Sequence, residues 1–478
     1  MFELFTLTLP GMSSPLLRLT LPGALILLLV VGLGSVLLRY TRRYLAGEAG
    51  VARFRLQLVG VCLAVALVLL SDHLLLLLAG WILVSATLHR LLLFYPDRPQ
   101  AVLAAHKKFL LARFSDLALL GAVLLLWQAH GSFSLSQILS AYAANDLPLS
   151  AAEQWAALLI ALTALLRSAQ MPFHGWLIQV VEAPTPVSAL LHAGVINLGG
   201  LLLILFAPLL AKAFAAQWLI LLIAGPSLVL AALIMSVSAS VKVRLAWSTS
   251  AQMGLMLVEC ALGLYELALL HMLAHSLYKA HAFLSAGEQV REQTLQGLAP
   301  AARGRFVDLA WALPLAAALV VAPAWLFTRG GEPLAPWFWL SLAVAGLLLE
   351  RRSRMFSDVF MDRLSTAVVM IGAFALLKWL FETLPLVPAV EAAARFGLQD
   401  LFVMAAILTL FSAAFLLRLY PRNAISLAAA RKLYAGLYID AHFTRLTLAL
   451  WPVRLPRSRP VSAGRSEPVI GLFEEKAS

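Results

Sequence analysis

Three titratable residues recur at four-residue spacing in "ELALLHMLAHSLYKAHAFLSAG": His271, His275 and Lys279. On an α-helix this spacing stacks them on one stripe, about 6 Å per step. Two imidazoles and an amine so placed can pass a proton along side chains and intervening water. Two histidines one turn apart also fit a metal site. A lysine is a poor third ligand, however, and no His-Glu-x-x-His or Cys-x-x-Cys pattern accompanies them, so neither a metal nor a cofactor is expected. A polar stripe that only packs against neighbouring helices is the remaining alternative.

A second group lies in "LLRSAQMPFHGWLIQVVEAPTPVSALLHAGVINLGG", residues 165–200. Pro172 follows Arg167 by five residues, removes a backbone donor and should break the helix there. Pro184 and Pro186 open the next helix. Helices broken at membrane depth are tolerated where they line a cavity, and such breaks mark ion or substrate sites. Arg167 is therefore a candidate path residue; its alternative is a structural pairing with a carboxylate such as Asp116. His192 reads equally as a path residue or as a histidine bonded to a backbone carbonyl. Arg113 and Asp116, three apart in "KKFLLARFSDLALL", can pair on one helix face. Lys242, in "SVKVRLAWSTSAQMG", reads by position as an interfacial anchor. Lys378, in "GAFALLKWLFETL", reads as intramembrane and locally unpaired. Glu259 and Glu266 fall near the outer ends of two spans, where water alone would account for them, but Glu259 and Lys378 are also counted as further candidates for the proton path.

These residues need a reason because the rest of the chain is apolar. Its 478 residues are 62% hydrophobic and 13% charged, with a mean hydropathy of +0.89. A soluble chain would carry about a quarter charged residues, and an ionisable group in hydrocarbon costs several kcal/mol. Repeated apolar runs of about 20 residues imply an all-α polytopic membrane protein of about thirteen spans. The first lies over 17–39 and the last over 398–419, with others including 105–128 and 154–180. The net charge of +12 is concentrated in alternate short loops such as "RYTRRYLAGEAGVARFR", "PDRPQAVLAAHKK" and "ERRSRMFSDVFMDR", whereas loop 129–153 has no Lys or Arg. That is the positive-inside pattern, not a nucleic-acid surface; it places the N-terminus outside and the C-terminus in the cytoplasm. No cleavable signal peptide is expected. Cys62 and Cys260 both fall in apolar runs and imply no structural disulfide. Three regions follow: a transmembrane domain over 1–423, an amphipathic interfacial or docking segment over 424–452, and a flexible tail over 453–478.

"RSAQMPFHGWL" followed by "APTPVSALLHAG" resembles the antiporter-like subunits of respiratory complex I, of the NADH dehydrogenase subunit 5 type, and the large subunit of Mrp cation/proton antiporters. "VKVRLAWSTSAQMG" and "HMLAHSLYKAHAFLSAG" resemble two further segments of these proteins, and the similarity is dense over residues 39–290. The resemblance implies a proton-translocating fold of two inverted five-helix repeats, each with a broken helix. It puts Arg167 at the position of the family's broken-helix lysine and makes His192 a linking histidine. Lys242, His271, His275 and Lys279 become the central hydrophilic axis, and Arg113 and Asp116 a paired couple beside it.

The departures from the family pattern are specific. Ile82, in "GWILVSATLHR", stands where the family has an acidic residue. Arg167 replaces a lysine and cannot readily release a proton. "APAWLFTRGGEPL" stands in place of a Phe-Ser-Lys-Asp motif. With the tail "LYAGLYIDAHFTRLTLALWP", these departures look most like the membrane subunits of DAB inorganic-carbon-accumulation complexes. That resemblance implies a bacterial inner-membrane location and a large soluble zinc-containing partner of the DabA type, similar to a carbonic anhydrase, on the cytoplasmic side. Cation or proton flow through this chain would drive hydration of CO2 to bicarbonate on the partner, with no enzyme chemistry on the chain itself. The alternatives are a subunit of a Mrp-type Na+/H+ antiporter and a membrane-arm subunit of complex I or a hydrogenase.

Overall fold

The computed structural model describes residues 3–8, 10, 14–144, 147–288, 306–327, 332–349, 358–387 and 396–456. An antiparallel pair of strands, β1 (Glu3–Leu7) and β2 (Leu17–Thr20), precedes the helices. The sequence reading placed no strand here and began the first span at 17; Thr20 instead caps the helix, its side chain accepting from the Gly23 amide. Pro22, near the helix start, needs no backbone donor.

The helices are α1 (Leu21–Tyr44), α2 (Val51–Leu70), α3 (Leu74–Leu92), α4 (Pro99–His130), α5 (Leu135–Ala144), α6 (Ala151–Arg167), α7 (Gly175–Gln179), α8 (Thr185–Ala193), α9 (Leu198–Leu205) and α10 (Ala207–Lys212). They continue with α11 (Phe214–Val237), α12 (Val241–Ala261), α13 (Tyr265–Leu284), α14 (Phe306–Phe327), α15 (Ala335–Leu349), α16 (Asp358–Thr383), α17 (Leu398–Leu419), α18 (Ala424–Tyr434) and α19 (Ile439–Leu450). Helices dominate because hydrocarbon offers backbone groups no other partner.

Among the described residues, nine helical segments are long and apolar enough to cross a membrane. The other four expected spans are also helical, but length and apolarity alone do not mark them. The helix α6 has 17 residues and stops at the break, while α15 has 15. Of the remaining two, α12 carries Lys242 and Glu259, and α13 carries the histidine stripe. The count of thirteen is therefore not settled on that criterion.

Two limits expected from the sequence shift. The span expected over 154–180 is divided into α6 and α7. The helix α4 begins at Pro99 rather than 105, so Lys107 and Lys108, read from the sequence as part of a basic loop, are buried helical residues at 0% and 4% exposure. The segment standing where the resemblance puts the second break includes residues 328–331, which lie outside the described residues. Before it, α14 runs as one helix through Pro314 and Pro323.

Helices α2 with α3, α4 with α6, α11 with α12 and α13 with α8 are the closely packed pairs around the first half. The segment Thr185–Leu205 is the most enclosed of the spans, almost wholly buried, whereas α14 and α17 are mostly unburied. Titratable groups carried by α8 and its neighbours are therefore shielded from lipid by protein. Beyond α17 the chain turns back, and α18 packs against α11.

Candidate ion path

Arg167 is the last residue of α6, and Ser168 caps that helix. The chain then turns through Ala169 at φ 50° before α7 begins at Gly175. Backbone groups freed by this turn find partners at once. The Gln170 amide donates to the carbonyls of Ser168 (2.8 Å) and Ser250 (3.3 Å), and the Ser250 hydroxyl donates to Ala169 O (3.1 Å). The Met171 amide donates to the Ser227 hydroxyl (3.0 Å). Non-helical backbone at membrane depth is stable only when so satisfied. Gly199 lets α9 close on the turn, since a Cβ there would lie 2.7 Å from Ala164 O and against the Ser168 hydroxyl.

Arg167 is 6% exposed, with its guanidinium over the Trp81 ring at 4.9 Å and a long contact, 3.5 Å, to Trp81 O. Its Nε and Nη1 have no hydrogen-bond partner among the described residues. The pairing with Asp116 that served as its structural alternative is not made: Asp116 binds Arg113 at 2.7 Å. Ile82 is half-buried in the apolar core, so α3 brings no carboxylate to this place. Lys108 takes the other side, donating to Ser85 O at 2.7 Å and Ser85 Oγ at 3.0 Å. A cavity of about 10 Å³, room for about one water, is lined by Lys108, Ser115, Arg167 and Trp176.

The second group of candidates converges on α13. Both ring nitrogens of His271 face acceptors: Nδ1 meets Glu259 Oε2 at 2.9 Å and Nε2 meets Gln252 Oε1 at 2.9 Å. An imidazolium satisfies both; a neutral ring does so with Glu259 protonated or with the Gln252 amide turned over. Glu259, expected to be wetted, is buried at 5% exposure; its place on α12 turns it inward to His271 rather than out to water. The His271 and His275 rings are 6.0 Å apart between centroids, close to the helical step. Lys279, one turn further, is 0% exposed and donates to Leu245 O at 3.0 Å. His192 stacks on Phe283 at 4.4 Å with both ring nitrogens unpartnered among the described residues, so the backbone-bonded alternative is not observed. Lys242 sits half-buried at the start of α12 and donates to Thr185 Oγ1 at 3.1 Å, and Thr185 donates in turn to Tyr44 OH at 3.1 Å. It anchors the start of α8 instead of reaching toward lipid.

Lys378 departs from the sequence reading. It is 2% exposed and pairs with Glu332 at 3.3 Å and with Glu382 one turn along its own helix. The i,i+4 spacing in "KWLFE" already carried that signal. Glu266 is half-buried beside these charges. Asp400 accepts from the amides of Leu334 (3.0 Å) and Ala335 (2.9 Å), capping α15 from a different helix.

The sequence reading also passed over Lys107, Lys108 and Asp440. For the lysines there was a signal, since Pro99 at a helix start extends α4 back over them. Asp440 had none, because its partner is Lys107, at 2.7 Å. No group of three or more His, Cys, Asp or Glu that could hold a metal occurs among the described residues.

With this geometry in view, comparison with known proteins is specific. The family model described as "NADH:quinone oxidoreductase/Mrp antiporter, TM" matches residues 71–357. A relative from Hydrogenovibrio crunogenus, "Probable inorganic carbon transporter subunit DabB", is 44% identical over 95% of this chain and 86% of its own length. A second, "Probable inorganic carbon transporter subunit DabB2" of Halothiobacillus neapolitanus, is 38% identical over 89% of this chain and 78% of its own. Among solved structures, a chain of the Mrp complex from Dietzia sp. DQ12-45-1b shares the fold with a TM-score of 0.55 at 22% identity, over 94% of this chain and half of that one.

Proposed function

The chain belongs to the NADH:quinone oxidoreductase/Mrp antiporter-like membrane subunits, and within them to the DabB family; from that premise we propose that it is the proton-conducting subunit of a bacterial inner-membrane complex that accumulates inorganic carbon. The observation that carries this reading is the line of buried Glu259, half-buried His271, and buried His275 and Lys279, each member within one helical turn or one hydrogen bond of the next. Buried ionisable groups inside a membrane are expensive and mark ion paths. A proton taken up from outside at the Glu259–His271 pair passes to His275 and then to Lys279, beside Leu245 O on the inner half of the bundle. Arg167, always charged, acts as a fixed positive charge that biases the first-half path without carrying a proton itself.

The inorganic-carbon role rests on near full-length likeness to relatives of that name. Hydration of CO2 belongs to a soluble zinc-containing partner at the cytoplasmic face, the side to which loop charge assigns the tail and the basic loops. Arg431, Lys432 and Arg445 of the tail are solvent-facing there. Affinity purification of the tagged chain from its own bacterium tests the reading. A large soluble subunit carrying stoichiometric zinc should co-purify and be lost on truncation after Arg422. Recovery of several homologous membrane subunits without a zinc protein would select a Mrp-type or complex I-type assembly instead.

A further inference from the structure

The first-half path has positive groups, Lys108 and Arg167, and no carboxylate at position 82. One carboxylate does reach its inner end, and it comes from the tail. Asp440, in the first turn of α19, accepts from Lys107 Nζ at 2.7 Å through Oδ1 and from the Gln179 amide at 2.9 Å through Oδ2. Lys107 is 0% exposed and also donates to Thr444 Oγ1 at 2.7 Å.

The seat is built for a carboxylate. Gly175, first residue after the break, leaves the space: a Cβ there would fall on the Asp440 carboxyl group. Phe443 packs edge-on against Phe173 at 5.4 Å, and the Trp451 carbonyl meets His106 Nε2 at 2.9 Å, fixing α19 on both sides of this point. The chain reaches it through Gly436, Leu437 and Tyr438 at φ of 61°, 54° and 59°. Two successive non-glycine residues in the left-handed region are strained and persist only where surrounding contacts hold them. The buried Lys107 pair is poor support for stability in itself, because desolvation offsets the attraction.

Asp440 stands between water and the break. Its side chain is 29% exposed, while His174, a neighbouring charge partner, is 0% exposed with neither ring nitrogen hydrogen-bonded among the described residues. Two residues on, Trp176 lines the small cavity shared with Lys108 and Arg167.

We propose that α19 is a working part of the ion path, with Asp440 supplying at the cytoplasmic mouth the carboxylate that position 82 does not. An O–H bond forms on Asp440 as the N–H bond of a protonated His174 ring breaks. That O–H bond breaks in turn as cytoplasmic water accepts the proton as hydronium, and the carboxylate is regenerated. The inference rests on the reading of the chain as a proton conductor.

The test is proton flux, followed with a pH-sensitive dye, into proteoliposomes holding the whole complex. Phe173→Cys with Phe443→Cys, bridged by a short bifunctional thiol reagent, keeps α19 seated whatever residue stands at 440. In that background Asp440→Asn should slow flux at least tenfold, while Thr444→Val, which removes the other acceptor of Lys107, stays within twofold of its parent. Equal flux with Asp and Asn, or an equal fall with Thr444→Val, overturns the inference and leaves the tail as a docking element. An unaltered complex that moves no protons overturns the functional reading, and the inference with it.

Discussion

Replacing Lys279 by arginine separates a relay from polar packing. Arginine keeps the positive charge and can still donate to Leu245 O, now at 3.0 Å from Lys279 Nζ, but it does not release its proton. Packing polarity therefore predicts a working protein, and a relay predicts a dead one. Members of the stripe are spaced by about 6 Å, and the His271 and His275 rings lie 6.0 Å apart. A gap of that size is bridged by a single water making two hydrogen bonds of about 2.8 Å. Without a titrating group at 279 the stripe ends at His275, and a proton must cross a space walled by Leu245 and Phe283, at 6% and 0% exposure, with no side chain to carry it. Proton flux should fall at least about 100-fold, equivalent to about 2.7 kcal/mol on the barrier. Lys279→Ala should fall as far. Flux into proteoliposomes and growth of cells dependent on bicarbonate supply would measure both, with a membrane blot for expression. A well-expressed Lys279→Arg complex with flux within threefold of wild type refutes the relay and returns the stripe to helix packing.

Arg167→Lys should keep partial flux, because a positive charge remains over Trp81; complete loss in a folded complex would show that the guanidinium itself is needed. Gly199→Ala should destabilise the break by about 1–3 kcal/mol, since overpacking against backbone forces α9 away from α6; an unchanged melting temperature in detergent would contradict the close approach. Gln170→Ala should cost a similar amount, about 1–3 kcal/mol, by orphaning the buried Ser168 carbonyl at the break, again read by melting. Elemental analysis of the chain purified without its partner should find no stoichiometric zinc, and finding it would move the hydration chemistry onto this subunit.

What the sequence by itself determined is what local spacing encodes. Four-residue spacing put His271, His275 and Lys279 on one stripe, because helical periodicity needs no knowledge of neighbours. Pro172 after "RSAQ" announced the break, because proline removes a donor wherever it stands. The same local logic covers Lys378–Glu382 and the start of α4 at Pro99, though Lys378 was read as unpaired and Lys107 and Lys108 were read as loop charges. Tertiary structure alone decided which groups meet across helices. Glu259 turns inward to His271; Asp400 caps α15; and Asp440 crosses 333 residues of sequence to reach Lys107. Spacing along one helix says nothing of these contacts, because they depend on how helices rotate and close against one another, and that is set by packing summed over the whole bundle.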